Sequence, residues 1–460
     1  MEEKRIPRAS ANNQISALDT DRIRKALEGT GSSMRGIVIC QKGKVTLDHW
    51  WSPYTRNDRF WVYSVSKSFT STAIGFAVSD GLLSPDDKVI SFFPDRKINK
   101  EDENLTSMTV QDLLTMRSGH FEDTLPRVFQ SGTDWVQTFL SLPVEKKPGT
   151  FFVYNTGASY MLAAIAEKVT GQGLLAYLTS RLFTPLGITN VSWDCCPMGI
   201  AVGGWGLSIG TEDMAKLGLL YLNKGCYEGH RILPEEWVLD AVSPHADNNT
   251  ASGSVDWRQG YGYQFWRNSV SGYRADGACG QYILVLPEAD AVIAINSETT
   301  DMQKILNVVW EIIFPLLCKP EIHPNGVYVL TKNADNLTQA GIQINDDHLC
   351  FSLWDDQNEY KLLCGRENWV INETGFPLVK FAFTPRISQN DDLKIAARYS
   401  CANNQLEIEL AFLGAVHTQQ IQCSFHENQV TIRVNPSLSQ IMGEKPPFGI
   451  LKSIFWGEKG

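Results

Sequence analysis

A serine and a lysine stand one helical turn apart in the segment Trp61-Val-Tyr-Ser-Val-Ser-Lys-Ser-Phe-Thr70. Apolar residues then recur at helical spacing through Ala77, and Gly81 is well placed to end the helix. The pattern therefore predicts a helix with Ser64 at its start and Lys67 on the same face. A lysine that burial has deprotonated can act as the base for a serine nucleophile. The free N–H groups at the helix start would also favour a neutral lysine and a developing oxyanion.

This tetrapeptide also has a purely structural interpretation. Ser-x-x-Lys arises by chance in chains of this length, and in that case Ser64 caps the helix while Lys67 is a solvated side chain. The motif occurs once in this chain, and it opens a strongly patterned helix after a strand-rich segment. Both interpretations stay open on these residues alone.

A second polar loop, Pro148-Gly-Thr-Phe-Phe-Val-Tyr-Asn-Thr-Gly157, leads into an apolar helical run that begins at Ser159. A tyrosine and an amide held just before a helix could share a proton with Lys67 and hold an acyl carbonyl. The candidates for these tasks are Tyr154 and Asn155. Read alone, the segment also fits a packed Tyr154 whose hydroxyl finds a local partner.

Seven segments, in collinear order over roughly residues 15 to 315, are similar to segments of one enzyme family: Tyr63–Ser71, Leu82–Val89, Met108–Gly119, Pro148–Thr150, Gly203–Ala215, Arg231–Trp237 and Tyr261–Trp266. They resemble the serine β-lactamase and penicillin-recognising family, and most closely its class C β-lactamases with their DD-peptidase and esterase relatives. The resemblance is specific because several segments agree. The sequence after residue 320 carries none of it.

The resemblance implies acyl transfer without a cofactor or a metal ion. Ser64 would attack a carbonyl, Lys67 and Tyr154 would manage its proton, and water would release the acyl group. The oxyanion hole would use the backbone N–H of Ser64 and that of Ala278, which follows the strand that carries the family's third motif.

That third motif, Lys-Thr-Gly or His-x-Gly, aligns by its glycines with Ala275-Asp276-Gly277. The resemblance thus implies contacts to substrate from Asp276, Gly277 and Asn155. Two departures stand out, because Asn155 occupies the middle position of the family's Tyr-x-Asn motif and Ala275 replaces the cation that faces a substrate carboxylate. Arg274, one residue earlier, should point to the other face of the strand. The departures favour neutral or amine-bearing esters and amides over penicillins and D-Ala-terminated peptides.

A competing motif, Gly206-Leu-Ser-Ile-Gly210, matches the nucleophile elbow of α/β-hydrolases. That elbow must follow a core strand, whereas a glycine-rich loop precedes it here, so we expect Ser208 to lie in a loop or near a helix cap. His120 and His230 are expected to be surface or hydrogen-bonded side chains, since a Ser/Lys/Tyr site has no task for a histidine. Trp205 could line the substrate pocket or pack as an ordinary aromatic.

The elements that must position these residues mix helices and strands. Two hairpins, one near each end of the first part of the chain, enclose a mostly helical stretch: Arg35–Cys40 with Lys44–Trp51, and Gln281–Leu286 with Ala291–Asn296. A further strand is predicted over Tyr261–Trp266, an opening helix over Asp21–Leu27 and a closing helix over Met302–Phe314. One sheet built from both ends, with a helical insert, gives an α+β fold. The resemblance implies a β-lactamase-like antiparallel sheet flanked by helices.

After residue 320 the character of the sequence changes to short alternating runs broken by Asn, Asp and Gly: Gly326–Thr331, His348–Trp354, Tyr360–Cys364, Leu393–Tyr399, Leu406–Phe412, Gln419–Phe425 and Gln429–Val434. Such spacing indicates an all-β sandwich or a small barrel. We therefore predict a serine hydrolase domain over residues 1–319 and a C-terminal β domain over residues 320–460.

Composition narrows the classes of partner. The 460 residues carry a net charge of −10, which argues against binding to nucleic acid or to an anionic membrane. No apolar run is long enough to span a membrane, and the N-terminus has no signal-peptide core, so we expect a cytoplasmic protein. The ten cysteines form no C-x-x-C pair and the histidines no H-E-x-x-H, so a metal site is not expected.

The sequence thus predicts a hydrolase that acts through a Ser64 acyl-enzyme on an ester, amide or β-lactam-like bond in a small molecule or peptide. The alternative is a catalytically weakened penicillin-binding-like sensor or binding protein. The altered third motif favours that alternative, while the retained Ser64, Lys67 and Tyr154 oppose it. The oligomeric state is left open.

Overall fold

The structure is a computed structural model that describes residues 4–10, 14–130, 132–249, 253–318, 325–332, 337–345, 348–366, 368–373, 394–402, 405–413, 418–426, 429–436 and 453–459. These residues form two compact units. The first contains the described residues up to Ala9 and of Ala17–Cys318, and the second those of Ser10–Ser16 and Lys319–Gly460. Residues 319 and 320, where the sequence predicts a domain boundary, lie outside the described residues, and the division into domains stays a prediction.

The first unit contains eleven strands among its described residues: β1 (Ser33–Gln41), β2 (Lys44–Trp50), β3 (Arg59–Trp61), β4 (Ser192–Trp193), β5 (Leu207–Gly210), β6 (Cys226–Tyr227), β7 (His230–Arg231), β8 (Trp266–Arg267), β9 (Tyr273–Gly277), β10 (Gln281–Leu286) and β11 (Ala291–Glu298). Six of them form the central antiparallel sheet in the order β2-β1-β11-β10-β9-β8. The two predicted hairpins, β1–β2 and β10–β11, meet in its middle through β1 and β11. This sheet of strands from both chain ends confirms the α+β prediction.

The α-helices of the first unit, as far as its residues are described, are α1 (Ala17–Gly29), α2 (Ser66–Ser79), α3 (Glu103–Ser107), α4 (Val110–Leu114), α5 (Leu125–Gln130), α6 (Trp135–Ser141), α7 (Thr156–Thr170), α8 (Leu174–Leu178), α9 (Thr211–Leu222), α10 (Glu235–Ala241), α11 (Met302–Val308) and α12 (Phe314–Leu317). A π-helical segment, Val309–Ile313, joins α11 to α12. Helix α9 packs across β1, β10 and β11, and α2 packs against α7. Gly218 of α9 lies so close to Val292 of β11 that an added Cβ would come within 2.5 Å of its side chain. No described helix is both long and apolar enough to cross a membrane.

Two local predictions need correction. The helix expected from Ser64 begins with a 3₁₀ turn over Tyr63–Val65, and α2 itself starts at Ser66. The strand expected over Tyr261–Trp266 is reduced to β8 and to isolated bridges from Tyr261 to Ala246 and to Trp266. Gln264 interrupts it, because its φ of 63° is a left-handed conformation that no strand can continue through.

The second unit is all-β in the part that the structure describes: β12 (Gly326–Lys332), β13 (Gln339–Ile344), β14 (His348–Trp354), β15 (Glu359–Arg366), β16 (Val370–Asn372), β17 (Lys394–Ala402), β18 (Gln405–Leu413), β19 (Thr418–His426), β20 (Gln429–Pro436) and β21 (Ser453–Lys459). Their order is β15-β14-β13-β12-β21-β20-β19-β18-β17-β16, and a parallel pairing of β15 with β17 closes the ring. Alternate residues of β18 fill its core, with Leu406, Ile408 and Leu410 fully buried. Of the two predicted architectures, the barrel is confirmed and the sandwich is wrong. Leu393, at the start of one predicted run, lies outside the described residues.

Candidate active site

The 3₁₀ turn that carries Ser64 is held between β5 and the start of α2. The Val62 N–H donates to the Leu207 carbonyl at 2.9 Å. The Ser66 hydroxyl donates to the Tyr63 carbonyl at 2.5 Å and accepts from the Leu207 N–H at 3.2 Å. These bonds tie both ends of the turn to one strand, and they leave Ser64 half-buried at the head of α2.

The amine of Lys67 lies beside this serine. Lys67 is 1% exposed, and its Nζ is 2.9 Å from Ser64 Oγ, 2.8 Å from the Gly204 carbonyl oxygen and 3.5 Å from Thr156 Oγ1. Burial lowers the pKa of Lys67 to about 7, although the Asp123 carboxylate partly opposes this shift. Near neutral pH much of this amine therefore has a lone pair with which it can accept the Ser64 proton.

The phenol of Tyr154 converges on the same two groups. Its ring centroid is 4.9 Å from Lys67 Nζ, and the ring stacks on Trp266 at 5.2 Å and 27°. Burial raises the pKa of Tyr154 above its usual range, while hydrogen bonding with Ser64 opposes the rise. The phenol is therefore neutral at physiological pH and can pass a proton on rather than act as a permanent anion. The structure thus brings the three residues named from the sequence into one site.

The loop at Gly203 and Gly204 places a backbone carbonyl within hydrogen-bonding distance of Lys67 Nζ. Thr70 donates to the Gly203 carbonyl at 2.8 Å, next to the Gly204 carbonyl that accepts from Lys67. A Cβ added to Gly203 would lie 2.6 Å from the Ala163 side chain, and a Cβ added to Gly204 would lie 2.7 Å from the Thr156 side chain. Only glycine lets this loop lie flat on α7, which is why the Gly-Gly pair can present a carbonyl to the buried amine.

A glycine also lets β9 approach the serine. A Cβ at Gly277 would lie 2.3 Å from the Val62 carbonyl oxygen and 3.2 Å from the Val65 nitrogen, on both sides of Ser64. Ala278 follows directly at the end of β9 and is exposed. The strand end is thereby seated against the Ser64 turn, and the oxyanion role of Ala278 stays a prediction.

The charged residues of β9 form a buried ion pair. Arg274, which is fully buried, donates from Nε to Asp276 Oδ2 at 2.8 Å, and its guanidinium lies 4.8 Å from the Trp257 ring centroid and 5.9 Å from that of Trp266. Burial raises the pKa of Asp276 to about 6, and Arg274 opposes this rise. Ala275 points the other way, into the hydrophobic core. The Asp276 carboxylate is therefore engaged by Arg274, and its contact with substrate stays a prediction.

The Asn155 side chain serves the start of α7. Its Oδ1 accepts from Thr124 Oγ1 at 2.7 Å and from the Gly157 N–H at 3.1 Å, and its Nδ2 donates to Ser118 at 3.2 Å. Asn155 is fully buried and caps the helix. Substrate binding by Asn155 stays a prediction, and this placement argues for a structural role instead.

Thr156 is the residue that the sequence analysis missed. It follows Asn155, and its hydroxyl lies 3.5 Å from Lys67 Nζ while its N–H donates to Asp123 at 2.8 Å. The signal was available, because Thr156 stands at the third position of the Tyr-x-Asn motif, where the family resemblance places the amide. A hydroxyl there can also contact the lysine.

A pocket of about 410 Å³ opens beside the serine. The described residues that line it are Trp61, Tyr63, Ser64, Leu125, Pro126, Phe129, Gln130, Thr156, Gly204 and Trp205. Trp205 lines the pocket and also packs as an ordinary aromatic, since its ring stacks on Trp135 at 6.0 Å and 24°. The reactive groups thus border a mostly apolar space.

The remaining candidates lie elsewhere. Ser208 was expected in a loop or near a helix cap. It lies within β5, where it pairs with Trp61 and Ser192, and β5 ends at Gly210, the N-cap of α9, so the loop is wrong and the position near a cap is confirmed. His120 is buried against Phe139 and bonds Ser118 at 3.0 Å, and burial lowers its pKa to about 4. His230 is exposed on β7. In the described parts of the chain, no three His, Cys, Asp or Glu side chains cluster closely enough to hold a metal ion.

Comparisons with known proteins identify the family and the fold of the first unit. The beta-lactamase family model matches residues 22–311. The 6-aminohexanoate-dimer hydrolase of Paenarthrobacter ureafaciens is 25% identical over 293 residues, which cover 57% of this chain and 72% of that protein. The lovastatin esterase of Penicillium rubens is 28% identical over 163 residues, which cover 30% of this chain and 40% of the esterase. The solved octameric penicillin-binding protein homologue from Pyrococcus abyssi has the same fold, with a TM-score of 0.53 at 17% identity, covering 96% of this chain and all of that one.

Proposed function

Because the chain belongs to the beta-lactamase family, we propose that it is a serine hydrolase that acts through an acyl-enzyme on Ser64. The observation that carries the proposal is the 2.9 Å contact between Lys67 Nζ and Ser64 Oγ in a buried setting. A serine hydroxyl is a poor nucleophile until a base takes its proton, and a neutral amine at this distance is such a base.

In the first step, Lys67 accepts the hydroxyl proton while Ser64 Oγ bonds to the carbonyl carbon of the substrate. The backbone N–H groups of Ser64 and Ala278 stabilise the resulting oxyanion. The proton then passes through the Tyr154 hydroxyl to the leaving oxygen or nitrogen, whose bond to the carbonyl carbon breaks. In the second step a water molecule gives its proton to the same pair, attacks the acyl carbon and releases the acid, and Ser64 recovers its proton.

The substrate class follows from the charges around the site. Lys67 is the cation nearest Ser64 among the described hydrogen-bonded groups, and Arg274 is already engaged by Asp276. Ala275 stands where the family's third motif has its cation, so among the described residues a substrate carboxylate would find no cation at that position. We propose esters or amides without such a carboxylate, in line with the esterase and hydrolase names of the similar curated proteins.

A second candidate function is a binding or sensor protein with little turnover. The missing cation at Ala275 and the engaged Asp276 favour it. The two functions differ in whether the substrate acylates Ser64 and water then releases the acyl group.

Active-site labelling separates the candidates. We expect a fluorophosphonate to modify the natural chain on the peptide that contains Ser64, as seen by mass spectrometry, and a fluorescent penicillin to label it weakly. Ser64→Ala should abolish labelling, whereas Ser208→Ala, a matched change in the nearby strand, should leave it intact. A natural chain that resists fluorophosphonate would favour the binding protein, and modification at Ser208 would overturn the assignment of the nucleophile.

A further inference from the structure

The pocket beside Ser64 has two apolar walls. Helix α5 supplies one wall through Leu125, Pro126 and Phe129, and Trp61 and Trp205 supply the other. Phe129 is 63% exposed and Trp61 is 42% exposed, so large aromatic surfaces face solvent at the mouth of the site. Surfaces of this kind next to a reactive group are typical of ligand-binding clefts.

None of the described lining residues carries a charge, and the polar ones are hydroxyls, an amide and backbone groups. An ionised group that entered this space would lose water and find no ion to pair with. An apolar group would instead cover the exposed aromatic faces and gain from leaving water. Volumes of about 400 Å³ accommodate ligand groups larger than a short alkyl chain.

The position of Tyr154 decides which half of the substrate the pocket holds. The leaving oxygen or nitrogen has to reach the Tyr154 hydroxyl. The Tyr154 ring packs against Lys67 Nζ and stacks on Trp266, and Tyr154 is not among the described residues that line the pocket. Thr156 and Gly204, which contact Lys67 Nζ, do line the pocket together with Ser64. The group that enters it is thus the one that stays bonded to the carbonyl carbon.

We infer that this pocket selects the acyl group of the substrate and prefers a bulky, uncharged, apolar acyl group, such as a branched chain or a ring. The inference rests on the proposed function, since it assumes an acyl-enzyme on Ser64. It adds a specificity determinant, Phe129, whose ring would contact the acyl group directly.

Two ester series test the inference. In the first, p-nitrophenol stays constant while the acyl group grows from acetyl through butyryl to cyclohexanecarbonyl and phenylacetyl. In the second, the acetyl group stays constant while the alcohol grows. We expect kcat/KM to rise at least ~10-fold along the first series, because burying one or two methylenes in an apolar pocket changes kcat/KM by about this factor. Along the second series kcat/KM should change little. A steeper rise along the alcohol series would overturn the assignment of the pocket to the acyl group.

A matched pair of variants locates the effect. Phe129→Ala should lower kcat/KM for the cyclohexanecarbonyl ester by ~10-fold more than for the acetyl ester, mainly through KM. Phe121 is also 63% exposed but stacks on Phe151 outside the described pocket lining, so Phe121→Ala should leave the ratio unchanged. An equal effect of both variants would overturn the inference.

A charged analogue and the serine variant complete the design. A p-nitrophenyl succinate hemiester, whose acyl group ends in a carboxylate, should be hydrolysed at least ~10-fold more slowly than the butyrate. Equal rates would contradict an uncharged acyl site. Hydrolysis that persists in Ser64→Ala would refute the proposed function itself, whereas loss of activity in that variant with a flat acyl series would refute only this inference.

Discussion

Replacing Lys67 with methionine tests the proposed base, because methionine keeps most of the side-chain volume and cannot take up a proton. With its ordinary pKa of 10.5, the amine would be neutral in about one molecule in 3,000 at pH 7, whereas a pKa of about 7 leaves about half of the molecules neutral. We therefore expect kcat/KM of the natural chain to rise with pH through a limb centred near pH 7 and to level off above it. Lys67→Met should lower the plateau by roughly 100- to 10,000-fold, the usual contribution of a positioned general base.

The same substitution should change stability in a pH-dependent way. The unfolded chain binds the Lys67 proton up to about pH 10.5 and the folded chain only up to about pH 7. Burying the Lys67 ammonium therefore lowers the free energy of unfolding. The full reduction applies below pH 7, and none of it remains above pH 10.5. The shift in pKa sets an upper limit of about 5 kcal/mol on that reduction. Lys67→Met should be more stable than the natural chain below pH 7, and this advantage should shrink as pH rises.

A second buried lysine provides the control. Lys216 of α9 is also 1% exposed, but it donates to Asp213 at 2.7 Å and to the Gly187 carbonyl at 3.1 Å, away from Ser64. Lys216→Met should lose stability, because it removes one partner of a buried ion pair, and it should keep the activity limb near pH 7. Activity is measured as kcat/KM from pH 5 to 10, and stability by urea unfolding at the same pH values.

Two results would refute this reasoning. One is a Lys67→Met protein that keeps kcat/KM within about threefold of the natural chain, since a general base contributes far more than that. The other is a limb near pH 7 that survives in Lys67→Met, because some other group would then be the titrating base.

Two further predictions concern β9. Asp276→Asn removes a negative charge that favours the Lys67 ammonium, so the activity limb should move below pH 7; a shift to higher pH in the rate profile would contradict this. Gly277→Ala would place a Cβ 2.3 Å from the Val62 carbonyl oxygen and should lower kcat by ~100-fold by displacing the strand end, while Gly173→Ala, where no atom lies within 4 Å, should keep full activity. Near-normal kcat in Gly277→Ala would show that the strand end does not need to touch the serine turn.

Features that depend on neighbours along the chain could be predicted. The helical spacing after Phe69 predicted that Ser64 and Lys67 share one face, and their side chains are in contact. The two hairpins were marked by alternating apolar residues and turn residues, and both are present in the central sheet. Such patterns are informative because burial of one face of a helix or strand has a fixed period.

Features that depend on distant contacts could not be predicted. The alternation in the second unit predicted strands, but the choice of a barrel over a sandwich depends on the pairing of β15 with β17. Ser208 was placed in a loop or near a helix cap because glycines precede it. It does lie near the cap of α9, but pairing with Trp61 and Ser192 makes it part of a strand. Strand pairing is decided by which segments meet in the folded chain, and no local pattern records this.

The amino-acid sequence by itself determined the family of this protein, its mixed α+β class and the serine–lysine pair, because these follow from motif spacing and hydrophobic period. Only the tertiary structure decided that Thr156 rather than Asn155 faces Lys67 and that Arg274 engages Asp276. It also placed an uncharged aromatic pocket beside Ser64. The physical reason is that partners and desolvation belong to side chains from separate segments, which acquire their distances only when the chain is packed.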